Sequence, residues 1–365
     1  MTAALRLGLV GPVPPPAGGM AMQTAQLQEL LVAEGLSVEL VPTNPPYSPA
    51  WIGRLPGLRS IFRLIPYLFR LWRLAGRVDV IHVMSNSGWS WQLFSAPMVW
   101  IGSMRKTPVI INYRGGEAAT YFSKSIARVR PSMKRASCLV VPSGYLRQVF
   151  ADYGLQAEVI PNIVRLERFV EPERREQGQL RLIITRNLEA IYGIPTAIRA
   201  VQLIADTVPS ARLDIAGSGP QRGELEALVG KLGLGNRVRF LGRLGSAEID
   251  TLYQSADILL NPTTVDNMPN SLLEAMAAGV AIVSTRVGGV PFIVEHGRTA
   301  LLTEIGDARQ MADAVIRLYR DRRLRQALVD NALQDVQQYA WPEVRNQWLS
   351  LYQSVRKNRR GDGSP

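Results

Sequence analysis

The chain has 365 residues, 47% of them hydrophobic and 20% charged, with a formal net charge of +12. That length suits two α/β domains, and a mean hydropathy of +0.02 fits neither a disordered chain nor a multi-span membrane protein. One cysteine, Cys138, and two histidines, His82 and His296, leave no disulfide framework and no zinc quartet, so no metal is expected and a reducing cytoplasm is the default.

Met1–Val10 lacks a basic segment followed by a long apolar run, so no signal peptide is predicted. Leu5–Val10 reads instead as a first strand. Ser37–Val41, Val78–Val83, Thr107–Asn112 and Cys138–Val141 follow as further buried strands. Between the first two, Met20–Glu34 carries apolar residues at helical spacing and stops at Gly35. Repeated strand–helix–strand units predict a parallel, doubly wound sheet. Directly after the first strand, residues 11–20 read GPVPPPAGGM. Paired glycines there, Gly18 and Gly19, let backbone N–H groups approach a phosphate; a tight turn without ligand is the alternative.

Trp51–Arg77 holds six arginines and no acid, interleaved with Trp51, Phe62, Tyr67, Phe69 and Trp72. Arg59, Arg63, Arg70, Arg73 and Arg77 fall on helical spacings with leucines and aromatics opposite, and Pro56 and Pro66 divide the stretch into two short helices. Such a face suits an anionic membrane surface; the alternative is packing on the sheet with solvated arginines. Val80–Met104 lacks Asp, Glu, Lys and Arg, but its polar residues favour a strand, a loop at Ser85–Gly88 and a buried helix over a membrane span. Up to Val170 there are 18 Lys plus Arg against 8 Asp plus Glu; beyond it the counts are 24 against 22. The basic excess therefore belongs to the first half and points to an anionic partner.

A strand ends near Pro161, and the charged stretch Glu167–Gln179 marks a boundary between residues 1–165 and 166–340. The pattern then restarts. Leu180–Thr185, Arg212–Ala216, Val238–Leu241, Ile258–Asn261 and Ala281–Thr285 read as strands; Pro195–Ala205, Gln221–Lys231, Ser246–Ser255 and Asn270–Ala278 read as helices. Asp307–Val355 is almost wholly helical, and residues 358–365 form a polar tail expected to be disordered.

The most informative segment is Asp266-Asn-Met-Pro-Asn-Ser-Leu-Leu-Glu274-Ala-Met-Ala-Ala-Gly279. A strand, a polar loop and a helix opening near Pro269 place two carboxylates beside free helix N–H groups. That combination suits a ligand bearing both hydroxyls and phosphate, because carboxylates accept bidentate bonds from sugar diols.

The segment resembles the paired-carboxylate signature of family-4 retaining glycosyltransferases: an acid, seven residues, a glutamate, then Ala-Met-Ala-x-Gly. Its Asp-Asn-x-Pro-Asn form is similar to a bacterial polysaccharide-assembly subgroup. Other landmarks fall in family order: Gly18-Gly19, Asp79-Val-Ile-His82, Val159-Ile-Pro-Asn162, Leu166-Glu-Arg-Phe169, Ala216-Gly-Ser-Gly-Pro220 and Gly288-Gly289-Val-Pro291. The resemblance implies two facing Rossmann-like doubly wound domains with an interdomain cleft (GT-B), an acceptor-facing first half and a nucleotide-sugar-binding second half. It also implies that a terminal helix, 341–357, crosses back to the first half.

Carried over by residue, Glu274 would bind the ribose hydroxyls of the sugar donor, Arg186 would clamp its diphosphate, and Asp266 would sit at the transferring sugar. Gly18, Gly19, Gly217, Gly219 and the stretch Asn267, Met268, Pro269, Asn270, Ser271 would line the same ligand. Arg114, Glu117 and His82 are candidates for the acceptor side, His82 with a structural alternative.

Three departures stand out. Tyr192 occupies the position of a family lysine, with Arg222 a candidate substitute, and Arg114-Gly115-Gly116-Glu117 replaces the usual His-Gly element; Met84 stands where a second histidine is frequent. The chain has no Asp-x-Asp triad, so charge on a departing diphosphate would fall to Arg186 and the helix N-terminus. The implied activity is metal-independent, retaining sugar transfer from a UDP- or GDP-linked substrate, without cofactor, to a lipid-linked glycan in polysaccharide or glycoconjugate assembly. Its implied place is cytoplasmic, peripheral on the inner face of the plasma membrane. The alternatives are a degenerate nucleotide-sugar or glycan binder of the same fold and, more remotely, a nucleic-acid binder; only 5 of the 42 basic residues are lysine and no nucleic-acid motif occurs.

Overall fold

The computed structural model describes residues 5–15, 18–45, 58–169 and 179–361, with side chains from 62 in the third stretch and to 357 in the last. Two compact units result: Met1–Ile163 with Val344–Pro365, and Val164–Glu343. The first contains β1 (Arg6–Gly11), α1 (Gly19–Ala33), β2 (Ser37–Pro42), α2 (Leu58–Ala75), β3 (Val80–Ser85), α3 (Ala96–Met104), β4 (Val109–Tyr113), α4 (Ala118–Met133), β5 (Cys138–Val141), α5 (Gly144–Asp152) and β6 (Glu158–Val159). The second contains β7 (Arg181–Thr185), α6 (Ile194–Thr207), β8 (Arg212–Ala216), α7 (Arg222–Lys231), β9 (Val238–Gly242), α8 (Ser246–Ser255), β10 (Ile258–Asn261), α9 (Asn270–Ala277), β11 (Ala281–Thr285), β12 (Leu301–Thr303), α10 (Ala308–Arg320) and α11 (Arg322–Asp335). The final helix, α12 (Trp341–Gly361), begins with the last residues of the second unit and packs within the first.

Each unit holds a six-stranded sheet, ordered β2-β1-β3-β4-β5-β6 and β12-β11-β10-β7-β8-β9, and every strand pairing is parallel. Strand order reverses between β1 and β3 in the first and between β7 and β10 in the second, where such sheets open a crevice at their carboxyl ends. Helices cover both faces, so the strands are apolar on both sides. In β7, Leu182 and Ile184 join the core beneath α6 and α10, while Ile183 joins the one beneath α8 and α9.

Three expectations change. α2 is one helix, not two; Pro66 lies within it, and the Trp51 and Pro56 part of the prediction lies outside the described residues. Its faces also differ from those expected. Tyr67, Leu71 and Leu74 are buried, whereas Phe62, Ile65, Phe69 and Trp72 are exposed alongside Arg70 and Arg73. Steps of three and four residues carry 62, 65, 69 and 72 along one stripe, and the 3.6-residue turn brings 70 and 73 beside it. Finally, α12 continues through Gly361 where a disordered tail from Asn358 was expected. Lysine and arginine are good helix formers and suit a helix C-terminus, which favours the extension. Residues 362–365 lie outside the described stretches.

Candidate active site

β7 and β10 adjoin at the strand-order reversal, and the chain leaves their carboxyl ends through Arg186 and through the loop that carries Asp266. The two side chains form an ion pair, Arg186 Nη2 to Asp266 Oδ2, each only 13% exposed. The Arg186 guanidinium also lies over the Tyr192 ring, 4.6 Å from its centroid. Its Nε is buried and has no hydrogen-bond partner among the described residues. Burial lowers the Arg186 pKa, and Tyr192, Tyr253 and Glu274 oppose that shift. Guanidinium keeps its charge even so, and a buried cation with a spare in-plane donor is a seat for an anion.

Glu274 sits one turn into α9. Tyr253, fully buried on α8, brings its hydroxyl within 3.1 Å of Glu274 Oε2, 3.2 Å of the Ser271 carbonyl and 2.7 Å of Thr185 Oγ1. A phenol has one proton, and the carboxylate is the strongest acceptor of the three, so Thr185 donates to the Tyr253 oxygen and Tyr253 donates to Glu274. Burial raises the Glu274 pKa; Arg168 counters most strongly, then Tyr253, whereas Asp250 raises it further. Arg168 and Asp250 form an ion pair of their own, with Nε 3.3 Å from Oδ2. Asp250, Tyr253 and Thr185 were not foreseen from sequence, and Arg168 entered only within the Leu166–Phe169 landmark, without a role. Tyr253 lies three to four residues from Ile249 and Ala256, a spacing indistinguishable from ordinary core packing.

The glycine loop after β8 presses on the Arg186 strand end. Gly217 has φ of 153°, and a Cβ there would strike the Arg186 carbonyl; a Cβ at Gly219 would strike Leu188. Leu188 N donates to Ser218 O (3.1 Å) and Gln221 N to Leu188 O (3.0 Å). Both expected glycines therefore act by close backbone approach next to Arg186. Of the α9 approach, Asn267 N donates to Asp266 Oδ1 (2.9 Å), Met268 is buried, and Pro269 precedes Asn270 as the helix cap. Ser271 Oγ is buried with no hydrogen-bond partner among the described residues. Gly289 N donates to the Asp266 carbonyl (3.0 Å), which brings the Gly288–Gly289 turn onto the same loop. Arg222 is engaged elsewhere, with Glu226 at 2.5 Å and over the Phe240 ring.

In the first unit, Gly18 precedes α1 with extended backbone, and a Cβ there would meet open space. Gly19 is the first residue of α1. Arg114 follows β4 and pairs with Asn162 Oδ1 and, at 3.4 Å, with Gln23 Oε1; burial pushes its pKa down to about 10. Gln23 in turn holds Ile163 through both its N–H (3.1 Å) and its carbonyl (2.8 Å). Glu117 is exposed just before α4.

His82 has no exposed surface. Its Nε2 lies 3.1 Å from Asn112 Nδ2, its Nδ1 lies 2.8 Å from Tyr352 Oη, and its ring centroid lies 4.6 Å from that of Trp348. Asn112 can only donate there, so Nε2 accepts and Nδ1 carries the proton toward Tyr352. Burial, and then Arg114, push its pKa down to about 3. A neutral, enclosed imidazole joining β3 to α12 matches the structural alternative for His82.

Exposed Trp100 and Met104 on α3, a helix packed against α2, add to the apolar stripe of α2. Arg105 lies over Trp72 (4.9 Å) and Arg135 over Trp100 (4.4 Å). Arg63 instead bonds the Pro45 carbonyl at 3.2 Å and is partly buried. The Arg59 side chain lies outside the described residues. Among the described residues, no helix is long and apolar enough to cross a membrane.

Residues 167–335 match the family described as glycosyl transferases group 1, and residues 17–168 match glycosyltransferase family 4. A Bacillus anthracis N-acetyl-alpha-D-glucosaminyl L-malate synthase is 31% identical over 48% of this chain and 45% of its own length. The chain thus spans about half the length of the curated relatives it matches first. A Mycobacterium leprae phosphatidyl-myo-inositol mannosyltransferase is 26% identical over 96% of this chain and 97% of its own. Among solved structures, Thermosynechococcus elongatus sucrose-phosphate synthase shares the fold with a TM-score of 0.76 at 21% identity, over 96% of this chain and 99% of that one. An Anabaena protein solved with UDP gives 0.75 at 19% identity, over 96% and 100%.

Proposed function

The chain belongs to the family 4 and group 1 glycosyltransferases, and from that premise we propose that it moves a sugar from a nucleoside-diphosphate donor to a hydroxyl of a glycan acceptor, with retention at the anomeric carbon. The observation that carries this reading is the convergence of Arg186, Asp266 and the α9 start where β7 and β10 part. Arg186, with an unpartnered buried Nε, takes the diphosphate. Glu274, held by Tyr253, accepts the ribose hydroxyls, and Asp266 accepts hydroxyls of the transferring sugar. As the C1–O bond to phosphate breaks, charge grows on the leaving oxygen and Arg186 stabilises it. The acceptor oxygen bonds C1 from the same face, and its proton passes to the departing phosphate. The chain's own work is to bind, orient and neutralise charge.

The acceptor is proposed to be lipid-linked and reached at an anionic membrane surface, cytoplasmic side, in polysaccharide or glycoconjugate assembly. Supporting it are the exposed stripe of Phe62, Ile65, Phe69 and Trp72 and the neighbouring Arg70 and Arg73. Apolar side chains at the acyl boundary with cations at the phosphates are what an interfacial helix needs. A second reading, binding without transfer, draws on Tyr192 and Arg114 at positions where the family resemblance implies a lysine and a histidine. A panel of UDP- and GDP-sugars, followed by thermal shift and by release of free nucleoside diphosphate, tests both. Stabilisation with release on adding lipid-linked acceptor is expected. Stabilisation without release in any combination favours the binder, and no stabilisation by any nucleotide sugar refutes the site.

A further inference from the structure

The turn between β7 and α6 is fixed more firmly than a connecting loop requires. After Arg186 the chain passes through a single 3-10 turn, Ala190–Tyr192, and reverses at Gly193. Gly193 has φ of 58°, which favours glycine, and a Cβ there would strike the Pro262 carbonyl. Two bonds converge on the Ile191 carbonyl, from Thr264 N (2.7 Å) and Thr264 Oγ1 (3.0 Å), and the Thr263 hydroxyl is shared between that carbonyl (3.1 Å) and that of Val265 (2.9 Å). Those threonines lead directly into Asp266. Tyr192 is thereby tied to the loop whose carboxylate pairs with Arg186, and its side chain packs against the core beneath α6.

The two contacts on the guanidinium are of different kinds. Asp266 pairs through its Oδ2 with the Nη2 end of the guanidinium, a nitrogen that a phosphate oxygen would also approach. Arg186 Cζ lies over the Tyr192 ring, 4.6 Å from its centroid, so this contact is made by the aromatic face and not by an acceptor atom. Ring-face attraction to a desolvated cation is therefore compatible with an anion in the plane, whereas the Asp266 pair competes with it.

We propose that Tyr192 is the positioning residue of Arg186: its ring holds the guanidinium while the N–H edge passes from Asp266 to the diphosphate of the sugar donor. The proposal rests on the reading that Arg186 binds that diphosphate. It needs the aromatic face and not the hydroxyl.

Isothermal titration with UDP and UMP, and in parallel with GDP and GMP, separates the two claims when run on the parent, Arg186→Ala, Tyr192→Phe and Tyr192→Leu. Tyr192→Met serves as a second ring-free variant should the leucine variant lose its native circular dichroism. The ring-free variants should lose about tenfold in affinity for the diphosphate with monophosphate affinity unchanged, and Tyr192→Phe should behave as the parent. Arg186→Ala weakened and ring-free variants at parental affinity would overturn the role of Tyr192 while leaving the diphosphate site intact. Equal weakening by phenylalanine and leucine would also overturn it, because the ring would not be the active feature. Parental diphosphate affinity in Arg186→Ala would overturn the reading beneath, and the proposal with it.

Discussion

Replacing Arg186 with alanine should cost both stability and turnover, and the two costs can be separated. The guanidinium and the Asp266 carboxylate are each 13% exposed, so removing one charge strands the other in a largely dry site. Breaking a buried pair in this way costs about 3–5 kcal/mol, a large share of the roughly 5–15 kcal/mol that holds a protein folded. Removing Asp266 as well relieves the stranded charge, so Arg186→Ala with Asp266→Ala should recover most of that loss. Turnover should not recover. The diphosphate gains charge as the glycosidic bond breaks, and losing one preorganised contact to such charge costs about 2.7–4 kcal/mol, or 100- to 1000-fold in rate. Denaturant melts of the parent, both single variants and the double measure the first cost, and single-turnover transfer at saturating donor measures the second. Should natively folded Arg186→Ala transfer sugar within about threefold of the parent, Arg186 does not face the leaving group.

Other expectations follow the same geometry. Burial raises the Glu274 pKa, so affinity for the sugar donor should fall at a pH above the ordinary glutamate value of 4.5, and Glu274→Gln should flatten that limb. Stability should move oppositely: the folded state binds the proton more tightly than the unfolded one, so stability rises as pH falls through this window. A donor-affinity profile shared by parent and Glu274→Gln would refute the assignment. Asp266→Asn should keep nucleoside diphosphate binding yet lose discrimination among donor sugars, and unchanged selectivity across the panel would count against its place at the sugar. Changing Arg70 and Arg73 to serine should weaken binding to phosphatidylglycerol vesicles by about 1 kcal/mol per arginine, less in high salt, and equal sedimentation with the parent would sink the membrane reading. His82 is held neutral down to about pH 3 in the fold against an ordinary value of 6.5, so its contribution is complete above 6.5 and falls by about 1.4 kcal/mol per pH unit below it. Urea titrations at pH 7.5 and 4.5 should show that loss in the parent and not in His82→Gln.

The strands were legible because both faces of a parallel sheet are buried, so each reads as a short apolar run. Cys138–Val141, Arg212–Ala216, Ile258–Asn261 and Ala281–Thr285 fall where expected. Leu301–Thr303, three residues long, was too short to register as a strand. On the α9 side of the site, the order strand, acid, helix was readable because it repeats a recognisable spacing. The supporting residues were not. Tyr253 reaches Glu274 across 21 positions and Arg168 reaches Asp250 across 82, distances over which one sequence carries no pattern. α2 shows the opposite failure: its period was readable, but which arc faced the sheet depended on the shape of β2, β3 and α3 beneath it.

α12 gives the first unit an unusual birth. The 180 residues of Val164–Glu343 stand between Ile163 and the helix that brings Trp348 and Tyr352 to His82. At about 5–20 residues per second, a ribosome takes roughly 10–40 s to make that stretch, which can fold while the earlier sheet waits for its last helix. Throughout that interval β3 lacks the two aromatic rings that enclose its histidine. Nascent chains stalled before Trp341 should therefore be protease-sensitive in residues 5–163 and resistant in 179–340. A premature stop there would leave every residue around Arg186 in place and still yield an unfinished protein.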